Sequence, residues 1–363
     1  MPSRHKTPGI SVSLSNRSNT SHRRGIWTLP LLKNWKKYLS AGIVGLLFTA
    51  FASSISPVSA EPIREDNPEL GKKLNLPIYV WSDPTKPVKG IIVAIHGLTF
   101  YASAFDDFAR YMASQGYVFY APDMRGFGRW KAESAKWNGD NKVHFSQTKE
   151  DLLRVTDTLR RENPDTKIYA LGESLGANFA IWLGSSKPNL INGVICSGPC
   201  YKRFTHVRAR WATDFATSCW RWNHDLNLEP YINPYLSTDH ELTASCLRDP
   251  LIMRKMSPVN LVKTNMTNRE TLLYVKNLPA GMPMFIIAGE KDAVFKPNSI
   301  PELVSRMGCA KTTSVHLLKD KGHLLLEHQT VDPSIANLIE TWLDKNAQTP
   351  QIASDKVSAV PGY

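Results

Sequence analysis

Gly172-Glu173-Ser174-Leu175-Gly176 sets a serine between two glycines, directly after the apolar run Ile168-Tyr169-Ala170-Leu171 and directly before ANFAIWLGSS, a helix-forming stretch. A strand turning sharply into a helix leaves the serine hydroxyl exposed at the sheet's C-terminal edge, and the glycines let neighbouring backbone pass close by. The helix N-terminus adds positive dipole where an oxyanion would form. A serine hydroxyl is a poor nucleophile at neutral pH; it needs a histidine base, itself oriented by a carboxylate. Downstream, Met284 to Ala288 runs into Gly289-Glu290-Lys291-Asp292, and Thr313 to Leu317 is followed by Lys321-Gly322-His323. Ser174, Asp292 and His323 therefore follow three predicted strands, in the order nucleophile, acid, base. Glu290 and Asp320 are rival carboxylates: the first sits one residue beyond its strand, and the second is close enough to His323 to be holding that loop. His316 falls inside a strand and His328 on the following helix-like stretch, so both read as structural or surface histidines. The oxyanion needs two preorganised N–H donors. Leu175, next to the nucleophile, supplies one, and Leu98, in the loop His96-Gly97-Leu98-Thr99, supplies the other. Acyl transfer of this kind calls for no metal and no cofactor.

These loops need a sheet to carry them. Predicted strands are Leu76 to Trp81, Gly90 to Ile95, Val118 to Ala121, Ile168 to Leu171, Asn192 to Ile195, Met284 to Ala288 and Thr313 to Leu317. Amphipathic stretches lie between them at Ser103 to Ser114, Lys149 to Arg160 and Leu175 to Ser185, with Pro333 to Asp344 after the last. Runs such as Ile91-Ile92-Val93-Ala94-Ile95 are apolar on both faces, as a parallel strand covered by helices on each side must be. The alternation predicts an α/β fold, a mostly parallel sheet covered by helices on both faces. From about 200 to 278 the rhythm breaks, and the interval reads as an inserted, mainly helical cap. Phe204, Val207, Trp211, Phe215, Cys219 and Trp222 recur there at steps of three and four, one stripe on a helix. Such a stripe packs the cap on the main domain; the sharper alternative is an acyl pocket wall.

Composition locates the chain. Hydrophobic residues make 42% and charged residues 21% of 363, which excludes a wholly disordered or fibrous protein. The net charge of +12 points at first to nucleic acid or an anionic membrane. Residues 1–60, however, hold eight Lys and Arg and no Asp or Glu, leaving 36 basic against 32 acidic residues beyond them. Nucleic acid thus loses its warrant. Basic residues up to Lys37, the apolar core Ala41 to Ala52 and Val58-Ser59-Ala60 follow the order of a secretory signal, so export to a periplasm or the medium is expected. The alternatives are a membrane anchor over 38–60 and an organelle transit peptide. Residues 61–348 then form the main domain, and 349–363 a disordered tail. The local excess of Lys202, Arg203, Arg208, Arg210 and Arg221 over Asp214 reads as a solvated helix face or as a cap that meets anionic lipid. Five cysteines match no zinc spacing and cannot all pair within one chain, and Cys196 reads as a small buried hydrophobe.

His96-Gly97, Asp123-Met124-Arg125-Gly126-Phe127-Gly128, Gly172 to Gly176, Gly289 to Asp292 and Gly322-His323-Leu324-Leu325-Leu326-Glu327 together resemble the motif series of the α/β-hydrolase superfamily. Within it they are most similar to the monoacylglycerol lipase and lysophospholipase branch, which shares motifs with serine aminopeptidases. The resemblance spans Leu76 to Leu343, including Asp249-Pro250-Leu251 in the cap. It implies structural roles for Asp123 and Arg125, and carboxylic esters with one acyl chain as substrates. Two departures bear on the substrate: the bulky Leu-Thr-Phe-Tyr after His96-Gly97, and the long polar stretch Arg129 to Val143. Two alternatives stand beside this reading. A peptidase taking small N-terminal residues would hold the amine on Asp214, Asp225, Glu229, Asp239 or Glu241. A non-catalytic binding module would be expected to lack a member of the triad.

Overall fold

The computed structural model describes residues 61–204, 209–210, 212–214, 216–217, 225–230, 244, 247–327 and 330–347. The expected leader, its 38–60 stretch and the tail lie outside the described residues. So do Val207, Trp211, Phe215, Cys219 and Trp222 of the aromatic stripe, together with Arg208, Arg221, Asp239, Glu241, Cys246 and His328. Among the described residues no helix is long and apolar enough to cross a membrane.

Eight strands form one sheet: β1 (Ile63–Glu65), β2 (Ile78–Ser82), β3 (Gly90–Ile95), β4 (Tyr117–Pro122), β5 (Ile168–Glu173), β6 (Gly193–Ser197), β9 (Met284–Gly289) and β10 (Thr313–Leu318). A two-residue ribbon in the interval expected as the cap supplies β7 (Leu226–Asn227) and β8 (Lys255–Met256). The main sheet runs β1-β2-β4-β3-β5-β6-β9-β10, with every pairing from β4 to β10 parallel. β1 and β2 are antiparallel additions at one edge. β1 carries Arg64 and Glu65 in three residues, which is why no apolar run announced it.

The double-sided apolar runs follow from two cores. Ile91, Val93 and Ile95 face one cluster with Leu152, Val155 and Leu159 of the helix Phe145–Glu162. Ile92 and Ala94 face the other with Phe105, Phe108 and Met112 on one side and Ile335, Ile339 and Leu343 of the helix Pro333–Ala347. A period-two backbone between two apolar layers must be apolar at every position. β10, at the open edge, instead leaves Val315 and Leu317 exposed.

The stretch Arg129 to Val143, read as polar, is pinned by buried Trp130 and Trp137, which meet edge to face at 6.4 Å. Arg129 lies over the Tyr79 ring at 3.8 Å. Within the interval expected as the cap, the helix Pro258–Tyr274 starts at Ser257, whose side chain accepts from Asn260 N, with proline in its first turn. Its buried Thr264, Thr267 and Thr271 return their hydroxyls to the carbonyls four residues back, so polar residues pack inward without unmet groups. Asn178 donates to Asn268 at 2.8 Å and ties this helix to the helix Leu175–Ser186.

Candidate active site

Because β3, β5, β6, β9 and β10 are parallel, their C-terminal loops open on one edge. Ser174 follows β5 with φ 54° and ψ −117°, a conformation a side-chain-bearing residue adopts only under constraint. The constraint is close packing. A Cβ on Gly176 would stand 1.9 Å from Ile95 O, and one on Gly172 would stand 2.2 Å from the Gly176 backbone, so only glycine fits on either side.

Ser174 Oγ lies 2.8 Å from His323 Nε2, and His323 Nδ1 lies 2.7 Å from Asp292 Oδ2. The remaining Asp292 oxygen accepts from Val294 N and Phe295 N at 2.7 and 2.9 Å. With Asp292 fixed as acceptor, Nδ1 carries the imidazole proton and Nε2 is left to accept from Ser174. Burial works against the charged imidazole, but the Asp292 carboxylate outweighs it and raises the His323 pKa above the ordinary histidine value. Phe295 packs on the imidazole, ring centroids 5.4 Å apart. Of the rival acids, Glu290 is exposed, while Asp320 pairs with Lys291 at 2.8 Å. His316 lies beside Phe285 in β10, away from this group, and bonds Ser314.

Leu175 opens the helix Leu175–Ser186, and among the described residues neither its N–H nor that of Leu98 has an acceptor. Leu175 directly follows the serine, and Gly97, next to Leu98, lies against it, a Cβ there standing 3.5 Å from Ser174 Cβ. The β3 loop is held from behind: His96 Nδ1 contacts Gly97 O at 2.9 Å, and Met124 N donates to Nε2. Burial lowers the His96 pKa to about 4, so the ring is a neutral brace. Thr99, at φ 77°, is a β-branched residue in left-handed backbone, and its buried hydroxyl has no partner among the described residues.

Asp123 accepts from Ala102 N and Arg129 N at 2.8 and 2.9 Å. Burial lifts its pKa to about 6 against the pull of Arg129. Arg125 grips Asp151 with two N–H groups and lies over the Trp130 ring at 3.9 Å. Both brace loops, as the resemblance implied. Tyr101 OH donates to Asp249 at 2.7 Å, which links the β3 loop to the Asp249-Pro250-Leu251 turn.

Three neighbours escaped the sequence reading. Cys200 Sγ lies 3.5 Å from Ser174 Oγ, and burial pushes this thiol up to about 12. Cys196, Cys200 and Cys309 are free and buried. Glu173 and Glu327 form a buried acid pair behind the serine. Glu173 accepts from Ser197 Oγ and from the amides of Leu325, Leu326 and Glu327. Glu327 accepts from Gly97 N at 2.6 Å. Burial, then the nearby Glu173, pushes the Glu327 pKa well above the carboxylate range. The signal for Glu327 was an acid closing the apolar run Leu324-Leu325-Leu326, where no exposed face calls for one.

An eight-stranded, mostly parallel sheet with a constrained serine after β5 and a histidine after β10 defines an α/β-hydrolase. Residues 86–330 match the family described as serine aminopeptidase, S33, and the chain belongs to that family. A monoglyceride lipase homolog of Monkeypox virus is 20% identical over 270 residues, covering 73% of this chain and 94% of the viral protein. Mouse monoglyceride lipase is 24% identical over 116 residues, which is 32% of this chain and 37% of the mouse enzyme. Among solved structures, a soluble variant of monoglyceride lipase from Saccharomyces cerevisiae, in complex with a substrate analog, superposes with a TM-score of 0.64 at 17% identity, over 80% of this chain and 98% of the yeast one. The monoacylglycerol lipase of Paleococcus ferrophilus gives 0.56 at 18%, over 79% and 100%. At these identities the structural likeness speaks for the fold.

Proposed function

We propose that the protein is an exported serine hydrolase that cleaves carboxylic esters with one acyl chain, of the monoacylglycerol or lysophospholipid type, through an acyl-enzyme. The observation that carries this is the Asp292–His323–Ser174 relay, with contacts of 2.7 and 2.8 Å. Ser174 Oγ attacks the ester carbonyl as His323 takes its proton, and Asp292 keeps the imidazole in the tautomer that can accept it. The Leu98 and Leu175 amides hold the oxyanion. His323 then protonates the departing alcohol, and a water activated by the same imidazole releases the acid. The similarity to monoglyceride lipases supports the ester class, and the order of the first 60 residues supports export.

Contact with an anionic membrane surface through the cap belongs to the same proposal. Val259, Val262, Met266 and Leu273 are 43–63% exposed on one stripe of the helix Pro258–Tyr274, with Lys263 and Arg269 beside them. An apolar stripe flanked by cations suits a lipid surface. The family's description favours a second reading, a peptidase releasing small N-terminal residues. Labelling with a fluorophosphonate and mapping the modified peptide tests the mechanism, with Ser174 as the expected site. Ser174→Ala should lower turnover by about four powers of ten or more. Selective turnover of aminoacyl anilides over an acyl-ester series would sink the ester reading.

A further inference from the structure

A cavity of about 640 Å³ opens between the segment after β6, the helix Pro258–Tyr274 and the short helix Ile300–Ser305, which carries Glu302 and is followed by Arg306. That volume suits a small-molecule site. Its inner wall is Phe295, the ring that packs on His323, and Tyr201 follows Cys200, whose sulfur touches Ser174 Oγ. One residue on each side therefore separates the cavity from the reacting atoms. Among the described residues, Lys202, Arg203, Arg269 and Arg306 line it with one acid, Glu302. Glu302 is already engaged: Lys202 donates to it, Tyr201 OH reaches it at 2.8 Å and Arg306 at 3.0 Å. Those donors, Lys202 first, hold its pKa down to about 2, so it stays charged at every working pH. Arg203 spans the floor, donating to Asn265 Oδ1 at 3.2 Å with its guanidinium 5.4 Å from the Phe295 ring. Arg269 has no hydrogen bond or ion pair among the described residues. Among the described lining residues four cations stand with one acid, a balance that favours an anion, and arginine forks match phosphate oxygens in pairs.

We propose that this cavity takes the phosphate headgroup of the substrate, and that the preferred substrates are anionic lysophospholipids, acyl glycerophosphates rather than neutral monoacylglycerols. The proposal rests on the ester-hydrolase reading above. Hydrolysis consumes one water and breaks the acyl C–O bond, giving a fatty acid carboxylate, a proton and a glycerophosphate whose phosphate is untouched. The glycerol link of such a substrate would have to pass the Phe295 ring, which lines the cavity and packs on His323.

The test compares kcat/KM for short-chain acyl glycerol 3-phosphate, acyl glycerophosphocholine and monoacylglycerol of the same chain, each below its micelle concentration so that no lipid surface takes part. Wild type should prefer the acyl glycerol 3-phosphate over the monoacylglycerol at least tenfold at low salt. The Arg203→Gln/Arg269→Gln double variant should lose at least tenfold of that ratio, and the double lysine variant should recover part of it. Fluorophosphonate labelling of Ser174 in each variant reports that the fold is intact, and labelling lost in the glutamine variant leaves the lysine variant and the wild-type inhibition series as the test. Glycerol 3-phosphate should compete with monoacylglycerol more strongly than inorganic phosphate does. Equal inhibition by the two, or a preference seen only with vesicles, overturns the headgroup assignment. A wild-type ratio near one with Ser174 labelled overturns the assignment alone; absent ester turnover with Ser174 unlabelled overturns both readings.

Discussion

Glu327 offers a sharp test of how the oxyanion loop is held. It is 1% exposed, one oxygen accepts from Gly97 N at 2.6 Å, and the other has no partner among the described residues. Glu173 beside it accepts from four donors, and burial, then Glu173, raises the Glu327 pKa well above the carboxylate range, so Glu327 holds its proton more readily than a free carboxyl. Glu327→Gln preserves the carbonyl that receives the Gly97 amide. It should keep kcat/KM within a few-fold and stability within about 1 kcal/mol. Glu327→Ala orphans a buried N–H, which costs about 1–3 kcal/mol, and leaves a void on top of that. If the Gly97–Leu98 peptide then drifts, an oxyanion donor is lost as well, and a donor of that kind accounts for about 10²–10³ in turnover. The pH dependence fixes the sign. A carboxyl whose folded pKa is raised contributes stability that is complete below its unfolded value, near 4.3, and is lost as pH rises through the folded value. The glutamine variant lacks that loss, so its stability relative to wild type should rise as pH increases from 5 to 7. Urea unfolding at the two pH values and ester kinetics at pH 7 read both effects. Glutamine as harmful as alanine would mean that the charge matters, and the protonated assignment would be wrong. An alanine variant equal to wild type would mean that the contact holds nothing.

Three further outcomes are expected. The acidic limb of kcat/KM should lie above pH 6.5, because His323 stays protonated to higher pH than a free histidine. Asp292→Asn should shift that limb down and cut kcat by about 10⁴, and an unmoved limb would count against the pairing. Thr99→Gly removes a β-branched side chain at φ 77° together with an unpartnered hydroxyl, so it should stabilise by about 1 kcal/mol net of the extra chain entropy, read as a higher urea midpoint. A lower midpoint would mean the threonine makes a compensating contact. Met266→Asp/Leu273→Asp breaks the exposed stripe away from the cavity lining and should weaken binding to anionic vesicles at least tenfold, with turnover of monomeric ester largely kept. Unchanged vesicle binding would remove the stripe from the membrane reading.

The parallel centre of the fold was legible because burial on two faces forces continuous apolar runs, and β3 matches its expected limits, Gly90 to Ile95. β1 was not, since a three-residue edge strand needs only backbone pairing and carries Arg64 and Glu65. The Ser174, Asp292 and His323 loops could be named because each ends a recognisable strand. Cys200 could not, because its nearness to Ser174 depends on β6 lying beside β5, a fact of pairing that no local pattern encodes. Glu173 and Glu327 were hidden for a related reason. Glu173 is met by Ser197 Oγ and by amides more than 150 residues away, and Glu327 by an amide 230 residues away, contacts that no local pattern announces.

That reach has a consequence for when the chemistry begins. Glu173 clasps the backbone after His323, and Glu327 in that same segment clasps the loop after β3, so the β3, β5 and β10 loops lock one another. Until β10 docks beside β9, no base stands against Ser174 and the Gly97 amide lacks its acceptor. On the proposed mechanism, a chain in which β10 has not docked lacks the Ser174–His323 contact and should not turn over esters. Specific activity therefore counts finished molecules, and one turnover assay doubles as a measure of how much of a preparation has reached its native state.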